Sequence, residues 1–135
     1  MEKEFVKYEQ ALALKELGFN ESCLGIYYGN GDNEFMGYSL ESSKELTNKF
    51  KELGHISAPL YQQTFRWFRE KQYYSEINVG CTQIDGAIGF SWRIWKPWLI
   101  EEWSPERPGE EWSYETYEEA ESACLDKLIE IIKNK

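Results

Sequence analysis

Apolar and polar positions repeat with a helical period along residues 57–71, S-A-P-L-Y-Q-Q-T-F-R-W-F-R-E-K. On a helix, Tyr61, Thr64, Phe65 and Phe68 share one face, and Gln63, Arg66 and Glu70 take the other. Trp67 lies on the shoulder of that stripe with Leu60. Pro59 suits a first helical turn, where its missing N–H would have no partner. Tyr61, Phe65 and Phe68 bury more apolar area than any other short segment offers. The pattern predicts a central helix against which a sheet packs.

Upstream, Tyr8, Ala11, Leu14 and Leu17 recur every third residue, with Leu12 on the flank, and predict a helix over residues 8–17. Gly18 supplies a left-handed residue after it, and Phe19 then reaches back over Leu14. Residues 23–28 and 34–38 have strand composition around Gly29-Asn30-Gly31-Asp32-Asn33, which is dense turn chemistry; together they predict a β-hairpin. No Lys-Ser or Lys-Thr follows these glycines, so a phosphate-loop reading is weak. Leu46, Phe50 and Leu53, with Ser43 before and Gly54 after, predict a shorter helix over residues 43–53.

Downstream, residues 73–82 read as extended, with Ile77 and Val79 alternating against Glu76 and Asn78. Asp85-Gly86 is a turn signal. Residues 87–95 form the next strand, with Phe90, Trp92 and Ile94 on one face and Gly89, Ser91, Arg93 and Trp95 on the other. Pro97 ends it, and residues 98–103 read as a third, edge strand. Residues 104–110 form an exposed loop. The last helix spans residues 116–133: Thr116 and Glu119 have capping-box spacing. Its buried stripe is Tyr117, Ala120, Cys124, Leu128 and Ile131, widened by Leu125 and Ile132.

Three helix starts echo one another: Tyr8-Glu9-Gln10-Ala11, Tyr61-Gln62-Gln63-Thr64 and Tyr117-Glu118-Glu119-Ala120. A triplicated unit would produce this. So would the simpler requirement of polar groups in the first turn and a small side chain where the sheet comes close.

The elements run α-β-β-α-α-β-β-(β)-α. They predict one α+β domain over residues 1–135, with an antiparallel sheet of about four to five strands packed by three to four helices. A chain of 135 residues with 41% hydrophobic side chains holds a core without metal or disulfide. Its net charge of −9, from 15 basic and 24 acidic side chains, argues against general nucleic-acid binding and against an anionic membrane. It suits a basic partner or nucleic-acid mimicry; solubility alone also accounts for it. Cys23, Cys81 and Cys124 are an odd number, widely spaced, and predict buried free thiols in a reducing compartment. No signal peptide or membrane span is visible, so the expectation is a cytoplasmic protein.

His55 is the only histidine, which excludes a multi-histidine metal site and predicts no metal and no cofactor. None of the common catalytic motifs is present, and no catalytic residue is assigned. Glu101-Glu102, Glu110-Glu111 and Glu118-Glu119 lie in loops or helix starts and read as solvated surface. Aromatic density is the unusual feature. Trp92, Trp95, Trp98, Trp103 and Trp112 crowd the later chain, with Trp67 upstream. Trp92 belongs to the core set. Trp67, Arg93, Trp95 and Trp98 are the candidate binding residues, because Trp and Arg together make interaction hot spots. Helices on both sheet faces would bury Trp95 instead.

The motifs S-A-P-x-Y-Q-Q-x-F-R-W-F-R-E-K (57–71) and T-Y-E-E-A-E-x-A-C-L-x-K-L-I-E (116–130), with the opening Tyr8, Ala11 and L-K-E-L-G-F (14–19), resemble a family of small proteins encoded by bacteriophages and prophages of gut bacteria. Together they cover a little under a third of the chain. That family has no assigned activity, so the resemblance implies context only: a phage or prophage accessory protein in the bacterial cytoplasm. The leading expectation is a non-catalytic binding or inhibitory protein acting on a basic host protein. The alternative is a protein that sequesters a nucleotide-like molecule in an aromatic pocket, with Arg66, Arg69 or Arg93 lining it. An enzyme ranks last.

Overall fold

Every strand pair in the structure, a computed structural model, is antiparallel. It describes residues 2–27, 35–38, 56–81, 86–98, 101–105 and 114–135. These contain the helices α1 (Tyr8–Glu16), α2 (Tyr61–Glu70) and α3 (Tyr117–Lys133). The strands are β1 (Gly25–Tyr27), β2 (Phe35–Tyr38), β3 (Ile56–Ala58), β4 (Tyr74–Cys81), β5 (Ile88–Lys96) and β6 (Glu101–Trp103). The class is α+β. The chain divides into two compact units, Met1–Thr64 and Phe65–Lys135, and the division falls inside α2.

In the first unit the sheet runs β2-β1-β3. The expected hairpin forms: Gly25 faces Tyr38 and Ile26 faces Gly37, with an irregularity before Tyr27. Its expected turn at residues 29–33 lies outside the described residues, as do the helix expected over 43–53 and His55. β3 was not expected. Pro59 does not sit in a helical turn either; α2 begins two residues later, at Tyr61. The residue before a proline is driven to extended backbone, so Ala58 ends a strand, pairing with Gly25. The Pro59 carbonyl then accepts the Val6 N–H at 3.0 Å.

Gly25 is required by a close approach. A Cβ there would lie 2.7 Å from the Phe5 ring and 2.9 Å from the Ala58 carbonyl oxygen. Phe5 and Val6 are both buried, and Tyr27 donates its hydroxyl to the Val6 carbonyl at 2.6 Å. α1 packs on β3. Its first turn is closed by Gln10, whose side-chain oxygen accepts the Lys7 N–H at 2.9 Å and the Tyr61 hydroxyl at 3.0 Å. Its end is the predicted one: Gly18 has φ 97°, and the Phe19 N–H reaches the Leu14 carbonyl at 2.9 Å.

α2 ends the same way without a glycine. Gln72 takes φ 68°, its N–H reaches the Arg69 carbonyl at 2.8 Å, and the Tyr73 N–H reaches that of Phe68 at 3.0 Å. All three echo sequences open a helix at their tyrosine. Their small fourth residues, Ala11, Thr64 and Ala120, are all buried.

In the second unit the sheet runs β4-β5-β6. Among the described residues, the prediction of one sheet of four to five strands is therefore corrected to two sheets of three. Each central strand has both edges filled by near neighbours in sequence: β1 by β2 and β3, and β5 by β4 and β6. No described strand is left to join the sets. β4 pairs with β5 without a break from Tyr74↔Trp95 to Cys81↔Ile88. β6 pairs at Ile94↔Trp103, and further along the same edge Tyr114 bridges to Phe90.

α3 packs on β4 and β5. Thr116 caps it, accepting the Glu119 N–H at 3.2 Å. Ala120, Cys124, Leu125, Leu128 and Ile129 are buried. Tyr117, expected in the stripe, is exposed and stands edge-on to Phe90. It sits in the helix's first turn. Trp92 and Ile94 are buried on this face, and Trp92 donates Nε1–H to the Tyr114 hydroxyl at 3.3 Å.

Candidate functional site

Period-two alternation decides what the other face of β4-β5-β6 presents. If Trp92 and Ile94 meet α3, then Arg93 and Trp95 point away from it. The register sets Tyr74 opposite Trp95 and Glu76 opposite Arg93 on β4, and Glu102 opposite Trp95 on β6. Five side chains from three strands thus share one face.

Their geometry is tight. The Trp95 and Tyr74 rings stack at 6.0 Å with planes 27° apart. The Arg93 guanidinium lies 4.9 Å from the Trp95 ring centre. Its Nε lies 2.7 Å from Glu102 Oε1, and its Nη1 lies 3.4 Å from Glu76 Oε1. Arg93 therefore crosses all three strands, bound to a carboxylate on each side, and its side chain remains 44% exposed. Trp95 and Tyr74 are half-buried. Trp98, in the turn after β5, is 86% exposed.

Of the four sequence candidates, Arg93 and Trp95 come into direct contact, and Trp98 follows them by chain continuity. Trp67 is placed differently. Its ring is only 9% exposed, edge-on to Phe68 at 5.1 Å, with Lys71 Nζ 4.5 Å from its centre. Tyr74, Glu76 and Glu102 were missed as site members. Parity along residues 73–82 already put Tyr74 and Glu76 on one face; the register that aligns them with Trp95 and Arg93 was not legible.

The remaining chemistry is sparse. Among the described residues, no three His, Cys, Asp or Glu side chains are grouped to hold a metal ion. All three cysteines are free. Cys23 and Cys124 are buried, but Cys81 is exposed, which corrects the expectation of three buried thiols. Cys81 is the last residue of β4, at the hairpin's outer end. Burial pushes the Cys124 thiol up to about 12, against a smaller lowering by a hydrogen bond with Ser75. No described helix is long and apolar enough to cross a membrane.

No family model matches the chain, and no curated protein or solved structure matches it either.

Proposed function

We propose that the protein is a non-catalytic binding protein, an accessory protein of phage or prophage type that blocks a basic host protein in the bacterial cytoplasm. One observation carries this reading: α3 covers one face of β4-β5-β6, while the other presents Trp95, Tyr74 and Arg93 between two carboxylates. Aromatic rings and arginine anchor interfaces, and this face leaves Arg93 exposed and both rings half-exposed, with exposed Trp98 following them, which suits a partner. Two carboxylates around one guanidinium leave this face net acidic, in keeping with the whole chain's charge of −9. The phage context rests on the sequence resemblance.

The nucleotide-sequestering alternative is weakened by Arg93. Its guanidinium is already bound by Glu76 and Glu102, so it offers no free cation to a phosphate.

The test is capture of a host protein by Trp95→Ala and Arg93→Ala proteins, each checked by circular dichroism and melting. Near-normal folding with lost capture supports the reading. Full capture by both variants overturns it.

A further inference from the structure

Phe90 donates its N–H to the Tyr114 carbonyl at 2.8 Å and accepts the Tyr114 N–H at 3.0 Å. Both backbone groups of Phe90 therefore point toward the β6 side of β5, away from β4. Facing residues in an antiparallel ladder alternate between pairs that exchange both hydrogen bonds and pairs that exchange none. Phe90 faces Val79, so this is a pair that exchanges none. The N–H and C=O of Val79 then point outward from the sheet. No register shift interrupts the pairing from Tyr74 to Cys81, so the alternation gives Ile77 and Ser75 the same outward orientation.

β4 is the end strand of its sheet. Among the described residues, nothing pairs with its outer edge. Natural sheets blunt such edges with lysine, proline, bulges or short strands. β4 has 8 residues, Y-S-E-I-N-V-G-C, with no lysine, proline or bulge. Its one charge, Glu76, is turned onto the face, toward Arg93. The Val79 side chain is 65% exposed.

We infer that β4 is a docking edge, and that an extended basic segment of a partner protein adds to it as a fourth strand, hydrogen-bonded to Ser75, Ile77 and Val79. The inference rests on the basic-partner reading above and specifies how the partner engages. Charge selects the occupant. A second copy of the chain would bring another −9 to the contact. A lysine- or arginine-bearing strand instead places alternate side chains beside the Tyr74 ring and the Glu76 carboxylate, where cations are favoured. Its other side chains fall beside Val79.

The experiment is residue-resolved amide exchange on the full chain, alone and with a synthetic peptide alternating lysine and valine. The expected result is about tenfold more protection at the Ser75, Ile77 and Val79 amides, with Glu76 and Asn78, already bonded to β5, unchanged. An equal effect from a glutamate–valine peptide overturns the inference. So does strong protection of the three amides without peptide, or protection that grows with protein concentration alone, which would make the occupant a second copy.

Val79→Pro removes one outward N–H and leaves the β4–β5 bonds in place. It is expected to melt within a few degrees of the parent and to bind the peptide about tenfold more weakly. In the host-protein assay, loss of capture by both Val79→Pro and Trp95→Ala supports edge and face together. Loss by Trp95→Ala alone overturns the edge and leaves the face reading standing. Loss by neither overturns both.

Discussion

Arg93 Nε meets Glu102 Oε1 at 2.7 Å while the same guanidinium lies 4.9 Å from the Trp95 ring centre. One side chain thus ties the central strand to the edge strand and lies over the half-buried tryptophan. All the charged partners are substantially exposed, so water and salt screen the attraction.

Arg93→Ala should therefore cost only about 0.2–1 kcal/mol of folding stability, and the loss should shrink at high salt. Urea unfolding at low and high ionic strength measures it. A loss of several kcal/mol would mean the guanidinium is buried in a way this geometry does not provide.

Trp92 and Trp95 lie three residues apart on one strand and should respond oppositely. Trp92→Ala empties a buried site and is expected to cost about 3–5 kcal/mol. Trp95→Ala removes a half-buried ring stacked on Tyr74, a pair worth about 0.5–1.5 kcal/mol beyond its buried area. Melting curves should rank Trp92→Ala well below Trp95→Ala. The reverse order would place the core on the wrong face of the sheet.

The three thiols should separate by accessibility. In the native protein at mildly alkaline pH, a thiol-modifying reagent is expected to label Cys81 quickly and Cys23 and Cys124 only on denaturation. The Cys124 thiol also sets a pH dependence. Its folded value of about 12 lies above the ordinary 9.0, so the folded state holds the proton more tightly. That contribution is whole below pH 9.0 and is lost as pH rises toward 12. Melting temperature should fall through that window, and Cys124→Ala should flatten this part of the decline.

Gln72 ends α2 in the left-handed region that glycine occupies at the end of α1. A side chain there costs about 1–2 kcal/mol, while glycine gives back about 0.5–1 kcal/mol through its freer unfolded chain. Gln72→Gly should therefore stabilise the protein by about 0.5–1 kcal/mol, seen as a higher urea midpoint. A destabilised variant would mean the glutamine side chain holds something in place.

The elements with strong local signals are legible in the sequence. Gly18 and Phe19 announced the end of α1, Thr116 the start of α3, and strict alternation the two faces of β5. What escaped was decided at a distance. Ile56–Ala58 is too short to show a period, and only its partner β1 makes it a strand. Gln72 carries no mark of a left-handed residue. The site followed the same division: parity alone separated Trp95 from Trp92, whereas Glu76 and Glu102 joined Arg93 only through strand register. Trp67 sat on a helix shoulder, where a small rotation decides between core and surface, and the structure buries it.

Gly25, with the Phe5 ring 2.7 Å from where its Cβ would stand, bears on how tolerance to mutation should be read in this protein. Under the proposed function, a saturation scan scored on partner capture should mark Gly25 as intolerant as Trp95, for reasons of backbone packing alone. Scored on cellular abundance, the two should part company: replacements at Gly25 are expected to deplete the protein, while replacements at half-buried Trp95 are expected to leave it present.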